Sequence, residues 1–425
     1  MLLRKRFKDL VLICGAALLV NPPAGLSAQG AKAPEVSKEF SIEVEKAVSS
    51  LTWHPNGRHI AVHLNCCEVR IFDTQTKALL PTVLPIEDAA NAAIAWSPNG
   101  KFLAVRYVSL RVYEFPSLRI MAEWTHPPKT LGCSGGQFQR GLIFASDSSS
   151  VWLGCASPSL AGRFKAALRL SLPDLKTEES IVLQVPESGE RAIVNTTVLA
   201  TDPRTQKIKV FSIVAVSSAE RDRVTRDPAA SYRDRERLPE PRHYLLALDE
   251  DKGETLALGM PYQREGDIRT RPSIAPGQAI LISPNVQMLA VAGATERRDL
   301  DRRRTTRHND FVDIYDVSRP SQAIQRFVGD AGEAGPCFSR NFIQFISASI
   351  YIGFATGEPD KKAFVLCDIA SKQELGRTPS LWPGAVAVST NGRQMAVSTT
   401  EMREAGTADL NWQYFRHEIS IYRLE

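Results

Sequence analysis

The chain has 425 residues, 43% of them hydrophobic and 23% charged, with a formal net charge of +5. That balance excludes an intrinsically disordered polypeptide and is ample for a sizeable core. It gives no global case for nucleic-acid binding: Arg4, Lys5, Arg6 and Lys8 against Asp9 place +3 in residues 1–28, so the rest of the chain carries only +2 of the +5.

The first 28 residues read as an export signal. Arg4 to Lys8 form a basic start, and Leu10 to Val20 is an apolar run of eleven. That run is well short of the roughly 20 residues that span a bilayer, and Asn21-Pro22-Pro23 breaks it. Ser27-Ala28 suits cleavage before Gln29. Export to the periplasm, or secretion, follows; an uncleaved N-terminal anchor is the alternative. No other stretch is long and apolar enough to cross a membrane. Residues 29–37 read as a linker and 38–425 as a single repeat domain.

The repeat shows first in residues 50–64 and 93–107. Trp53 matches Trp96, Pro55-Asn56-Gly57 matches Pro98-Asn99-Gly100, and Ile60-Ala61-Val62 matches Leu103-Ala104-Val105, at a constant offset of 43 residues. Pro-Asn-Gly between apolar runs is a tight turn, because Pro fixes φ while Asn and Gly tolerate positive φ. The following strand alternates Ile60, Val62 and Leu64 with His59, Ala61 and His63, the period of a β-strand. Third strands follow at Val69–Asp73 and Arg111–Glu114.

Weaker copies are expected along the rest of the chain. Blade three runs from Leu142 to about Leu183, and blade four has strands at Val194–Leu199, Ile208–Val216, His243–Asp249 and Thr255–Leu258. Blade five has Ala279–Ser283, Met288–Ala292, Phe311–Asp316 and Ile324–Val328; blade six has Phe342–Ile346, Ile350–Ala355, Ala363–Asp368 and Glu374–Gly376. Blade seven has Ala385–Ser389, Gln394–Ser398 and His417–Arg423, and lacks a fourth strand. Lys38–Glu45, alternating Phe40, Ile42 and Val44, supplies one and closes the ring. The expected fold is all-β, a β-propeller of about seven four-stranded blades.

The stretch Trp96 to Val105 (WSPNGKFLAV) resembles the blade motif of bacterial WD-repeat and Tol-type propeller proteins. The Trp-Asp dipeptide itself is replaced, by Phe72-Asp73, Tyr113-Glu114, Leu248-Asp249, Tyr315-Asp316 and Cys367-Asp368, and the opening Gly-His pair is missing.

Six cysteines remain once the leader is removed, an even number that permits disulfides in an exported chain. Cys133–Cys155 and Cys337–Cys367 each fall within one blade and are the preferred pairs; buried thiols are the alternative reading. Cys66 and Cys67 are adjacent and read as thiols or as partners of distant cysteines. No cysteine or histidine spacing resembles a metal site. His59 and His63, four apart on a strand, lie about 13 Å from each other. Trp53 and Trp96 occupy equivalent blade positions and read as packing residues.

With strands labelled a to d from the centre outward, the b–c and d–a connections share one face. Three b–c connections read as long loops on it: Ser217–Arg242, Gly293–Asp310 and Thr399–Arg416. The first two are dense in arginine, and the guanidinium pairs bidentately with carboxylate or phosphate. The candidate partner-binding residues are Arg233, Arg235, Arg237, Arg297, Arg298, Arg302, Arg303 and Arg304, with a solvated, self-neutralising loop as the plainer reading. The partner expected is another envelope or secreted protein, or an anionic polymer, and not a nucleic acid.

No catalytic residues, cofactor or metal are expected. Gly132-Cys133-Ser134-Gly135-Gly136 fits G-x-S-x-G, but the hydrolase elbow needs a strand–turn–helix setting that this chain lacks. Asp249, Asp251 and Gly253 resemble a calcium-loop fragment but read better as a c–d turn. Two functions stand: a non-catalytic interaction scaffold acting through one loop-rich face, and a propeller enzyme or small-ligand binder with its site in the central channel. Apolar or small residues at the innermost strand starts (Val48-Ser49, Ala92-Ala93, Ala385-Val386) favour the scaffold.

Overall fold

The computed structural model describes residues 36–424 apart from 66–67, 87–91, 108, 126–140, 156–162, 186–190, 228, 230–240, 250–253, 263, 266–267, 273–279, 300–303, 318–322, 331–340, 346, 348–349, 356–362, 372, 381–383 and 403–414. The expected leader and most of the linker lie outside the described residues, as do Cys66, Cys67, Cys133, Cys337 and the segment Gly132–Gly136.

The strands form seven antiparallel sheets, six of four strands and one of six. In blade one the order is Val48–Trp53, His59–Leu64, Glu68–Asp73, Ala78–Pro85; in blade two it is Ala93–Trp96, Phe102–Arg106, Leu110–Glu114, Ile120–Trp124. Blades three, four and six repeat the pattern. Blade seven is built from Val386–Val388, Gln394–Met402 and Phe415–Leu424, and its outer strand is Val36–Val44 from the other end of the chain. That strand pairs from Val36 opposite Leu424 to Val44 opposite His417. The ring is thus closed as the alternation of Phe40, Ile42 and Val44 required.

The innermost strands touch in sequence around the circle, and that of blade seven returns to that of blade one. Apolar packing follows the same plan. Each of seven buried clusters joins two consecutive blades: Ile71, Ile94 and Trp96 between one and two, for example, and Val62, Ile419 and Ile421 between one and seven. A single blade cannot bury both its faces alone, so the seven sheets stabilise each other only as a set.

The turns explain why the motif recurs. In blades two, five and seven a serine donates its hydroxyl hydrogen to the Asn two residues on: Ser97 to Asn99 at 2.7 Å, Ser283 to Asn285 at 2.6 Å, Ser389 to Asn391 at 2.7 Å. Each serine Oγ also accepts the N–H that opens strand b, from Phe102, Met288 and Gln394. Gly57, Gly100 and Gly392 sit in the left-handed region at φ 69°, 71° and 69°. Ser148, Gln206 and Val286 occupy the corresponding a–b turns of blades three, four and five, also with positive φ.

Trp53 and Trp96 are structural, as their equivalence implied. Trp96 Nε1 donates to Thr52 O of the preceding blade at 3.3 Å, and Trp53 Nε1 donates to Ala387 O of blade seven at 3.1 Å.

Two expectations are corrected. Gly293–Asp310 is not a loop: strands b and c of blade five run as Met288–Asp299 and Arg304–Asp316 and stay paired from Met288 opposite Asp316 to Asp299 opposite Arg304. Thr399–Arg416 is likewise shorter as a loop than expected, because strand b of blade seven continues to Met402, which pairs with Phe415. In blade five, backbone pairing carries the ladder past Ala294, the last apolar residue of strand b.

Candidate functional site: a charged platform on the b–c face

Blade five builds the most unusual feature of this face. Its strands b and c have 12 and 13 residues, whereas their counterparts in blade two have 5 each. The extra length recruits two further strands, Ile268–Pro272 and Arg264–Glu265, which precede strand a of the same blade. Ile268–Pro272 pairs with the extension from Ile268 opposite Arg297 to Pro272 opposite Gly293. Arg264 then pairs with Arg269, and Glu265 with Ile268. The result is a four-stranded platform continuous with the blade but beyond its apolar part.

The expected site residues distribute as follows. Arg297 and Arg298 lie on strand b of the platform and Arg304 opens strand c. Their register positions differ: Arg297 is opposite Thr306, Arg298 opposite Thr305, and Arg304 opposite Asp299. Arg302 and Arg303 lie outside the described residues, as do Arg233, Arg235 and Arg237. The blade-four connection begins with a short helix, Ala219–Arg226. Its N-cap Ser218 accepts the Arg221 N–H at 3.2 Å, and the Asp227 N–H closes the other end on Arg223 O and Val224 O. The sequence reading missed the helix because its cap, a single serine, is followed by charges of both signs with no apolar period.

It also missed the strands Arg264–Glu265 and Ile268–Pro272. Their signal was present but faint. Ile268-Arg269-Thr270-Arg271 alternates β-branched and basic residues, a strand-like period of two.

The inner rim of the ring is the other place a site could form. Ser49 Oγ lies 2.5 Å from His63 Nδ1, but His63 has 0% of its surface exposed, so a substrate cannot reach the ring. Arg106 is buried at the end of strand b of blade two and donates from Nη1 to Gly154 O of blade three at 2.9 Å. Burial pushes its guanidinium down to about 10, which leaves it charged at neutral pH. Thr197 of blade four donates to Cys155 O at 3.0 Å and meets Ser212 Oγ at 2.9 Å. The Arg106 and Thr197 bonds tie blade to blade. Val48, Ala92, Ala93 and Val386 at the strand starts are buried. Among the described residues no group of three His, Cys, Asp or Glu is placed to hold a metal ion, and no helix is long and apolar enough to cross a membrane.

On the opposite face an aromatic cluster fills the seam between blades one and two. The His54 ring lies 4.6 Å from that of Trp96 and 5.0 Å from that of Phe115. Its Nδ1 accepts the Asn56 N–H at 3.0 Å, so Nε2 carries the proton and donates to Gly100 O at 2.8 Å. Both ring nitrogens are used inside the protein, which makes this histidine structural.

Cys155 and Cys367 are both disulfide-bonded. They belong to different inter-blade clusters, so each partner is a cysteine outside the described residues.

Comparison with known proteins agrees with this architecture. The chain is similar to the crystal structure of the RRP9 WD40 repeats, with a TM-score of 0.51 at 11% identity, over 92% of this chain and 100% of that one. It is similar to the structure of U3-55K, with a TM-score of 0.50 at 10% identity, over 91% of this chain and 99% of that one. The fold is a β-propeller like that of these WD40-repeat structures. No protein-family model matches the sequence, and no curated protein matches it. At such identities the likeness concerns the fold alone.

Proposed function

We propose that this WD40 propeller is an exported, non-catalytic interaction scaffold that binds a protein or anionic polymer of the cell envelope through its b–c face. The observation that carries the reading is the blade-five platform. Two strands are extended and two more are recruited, which places a charge-rich stretch of sequence in a regular ladder on this face. Rigidly held polar positions on a scaffold face are how propellers and other repeat folds present binding surfaces. The leader-like residues 1–28 and the bonded Cys155 and Cys367 support an address outside the reducing cytoplasm.

The test is an in-cell cross-linking pull-down of the chain from the envelope fraction, read by mass spectrometry. A reproducible partner is expected, and shortening 217–242 and 293–310 abolishes its capture. Neutralising Arg302, Arg303 and Arg304 together weakens it. Capture that survives all these changes would sink the assignment to this face. A folded, exported bait with no partner would sink the scaffold reading itself.

A further inference from the structure

Three a–b turns carry the dipeptide Asn-Gly: Asn56-Gly57 in blade one, Asn99-Gly100 in blade two and Asn391-Gly392 in blade seven. This dipeptide modifies itself when its geometry allows. The glycine nitrogen attacks the asparagine Cγ, ammonia leaves, and water opens the resulting succinimide to aspartate or isoaspartate. Glycine favours the attack because no side chain stands beside the nucleophile. In blade five Asn285-Val286 takes the same place, and its branched side chain crowds the nitrogen. All three asparagines that precede glycine are exposed. Each Oδ1 accepts two hydrogen bonds: from the Arg58 and His59 N–H groups at 2.9 and 3.3 Å, from Lys101 N–H and Ser97 O–H at 2.9 and 2.7 Å, and from Arg393 N–H and Ser389 O–H at 3.0 and 2.7 Å. Those donors point at the oxygen that turns negative when Cγ is attacked.

The turns differ in two respects. The first is room. A Cβ on Gly57 or Gly392 would meet nothing within 4 Å, whereas one on Gly100 would press on the His54 ring, so the Gly100 peptide is clamped. The second is the leaving group. Asn56 Nδ2 lies 3.0 Å from His59 Nδ1. In the intact amide Nδ2 donates and the neutral ring accepts. Once Cγ is tetrahedral, Nδ2 is an amine that takes a proton in order to leave, and Nδ1 of the imidazolium is placed to give it. The ring is held by edge contacts with His54 and Phe115, at 5.8 and 5.1 Å between centroids. Among the described residues Asn99 Nδ2 and Asn391 Nδ2 have no titratable neighbour at hydrogen-bond distance, and Asn285 Nδ2 donates to the amide of Gln287 at 2.8 Å.

We propose that Asn56-Gly57 is a self-modifying site at which His59 is the general acid for the departure of ammonia. The bond that forms is Gly57 N to Asn56 Cγ, and the bond that breaks is Cγ–Nδ2. The Gly57 amide proton passes to solvent base. The His59 Nδ1 proton leaves with the ammonia and is replaced from water, and a water molecule then opens the ring. The pH dependence follows from the same geometry. Burial pushes the His59 imidazole below its ordinary range; Asp73 opposes this, and His54 and Arg58 add to it. The imidazolium share therefore grows on acidification. Attack needs a deprotonated glycine nitrogen, so an unassisted turn such as Asn391-Gly392 slows as pH falls. The assisted turn slows less, because the acid it uses becomes more abundant.

The experiment incubates the purified full chain in water enriched in heavy oxygen, across a pH series, and quantifies aspartate and isoaspartate at each turn by peptide mapping and mass spectrometry. The heavy oxygen marks conversion during incubation only. Asn56 is expected to convert faster than Asn391 by about tenfold or more, as general-acid assistance supplies. Asn99 follows behind Asn391, and Asn285 stays intact. His59→Gln keeps a hydrogen-bond acceptor for Asn56 Nδ2 but no titrating group, and should bring Asn56 to within about twofold of Asn391 while leaving the other turns unchanged. Should His59→Gln melt differently from the wild type, the ratio of the Asn56 and Asn391 rates in the wild type decides instead, since both turns then share one folded molecule; the ratio falls as pH rises. Equal or slower conversion at Asn56, an excess that survives His59→Gln in a variant of unchanged melting temperature, or a ratio that does not change with pH would each overturn the proposal.

Discussion

At the scale of single residues, blade one differs from blades two, five and seven at one turn position. His54 stands where the others have Ser97, Ser283 and Ser389, and its ring reaches across the seam to Gly100 of the next blade. Gly57 and Gly100 have nearly the same backbone, φ 69° and 71°, but different surroundings. A Cβ on Gly57 would meet nothing within 4 Å, whereas one on Gly100 would lie 2.6 Å from His54 Cε1 and 2.8 Å from Nε2. Gly57→Ala therefore carries only the left-handed penalty, about 1–2 kcal/mol. Gly100→Ala adds an overpacking cost of roughly 1–3 kcal/mol, because the ring is held by two hydrogen bonds and three aromatic neighbours. In a His54→Ser background, which restores the residue of the other blades, the cost of Gly100→Ala should fall to that of Gly57→Ala. Urea unfolding of the four variants closes the cycle. Equal costs for the two glycines in the wild-type background would show that the backbone alone decides.

At the scale of elements, the closing strand is stitched to its neighbour by charge as well as by its ladder. Lys38 Nζ donates to Glu418 Oε1 at 2.7 Å, Arg423 pairs with Glu39, and Gln394 donates to Glu39 at 3.1 Å. Burial pushes the Glu418 carboxyl up, but hydrogen bonds from Lys38, Ser41 and Ser420 outweigh it and hold the group below the usual carboxylate range. Burial alone lowers the neighbouring His417. Both groups bind protons more weakly in the folded state than in the unfolded one. The stability they contribute is present above their unfolded pKa values and is lost as pH falls through the folded ones. The seam should weaken first below pH about 6.5, where an unfolded histidine takes a proton, and again below about 4.3, where an unfolded glutamate does. Glu418→Gln should flatten the lower part of the melting-temperature profile, and a profile of unchanged steepness would remove Glu418 from the account. This strand was legible in the sequence because Phe40, Ile42 and Val44 alternate against a core. The blade-five platform was not. Thr295-Glu296-Arg297-Arg298-Asp299 has solvent-compatible residues at every position, so its sequence offers no period of two to read. Arginines that the sequence grouped by proximity were then separated by register, a property of pairing that no single segment contains.

At the scale of the molecule, the seam between the two chain ends is built like every other seam. Trp53 donates to Ala387 O of blade seven just as Trp96 donates to Thr52 O of blade one, and the two carbonyls occupy equivalent positions on strand a. The cluster at the seam buries Ile419 and Ile421 completely. Closure is therefore not an added clasp but the completion of the repeat, and the outer strand of blade seven can be removed without changing a residue of any other blade. Deleting residues 36–44 exposes the ladder edge of Phe415–Leu424, a template for pairing with another chain. The deleted protein should melt at lower temperature and self-associate in analytical ultracentrifugation. A synthetic peptide of sequence VSKEFSIEV, added in trans, should restore both the melting temperature and the association state of the intact chain. The register Val36 to Val44 against Leu424 to His417 specifies that rescue, and a version with Phe40 and Ile42 changed to Ser should fail to give it. If the deletion variant keeps the association state and the melting curve of the intact chain, the inter-blade clusters suffice to hold the ring, and the outer strand of blade seven is an ornament of the fold and not a condition of it.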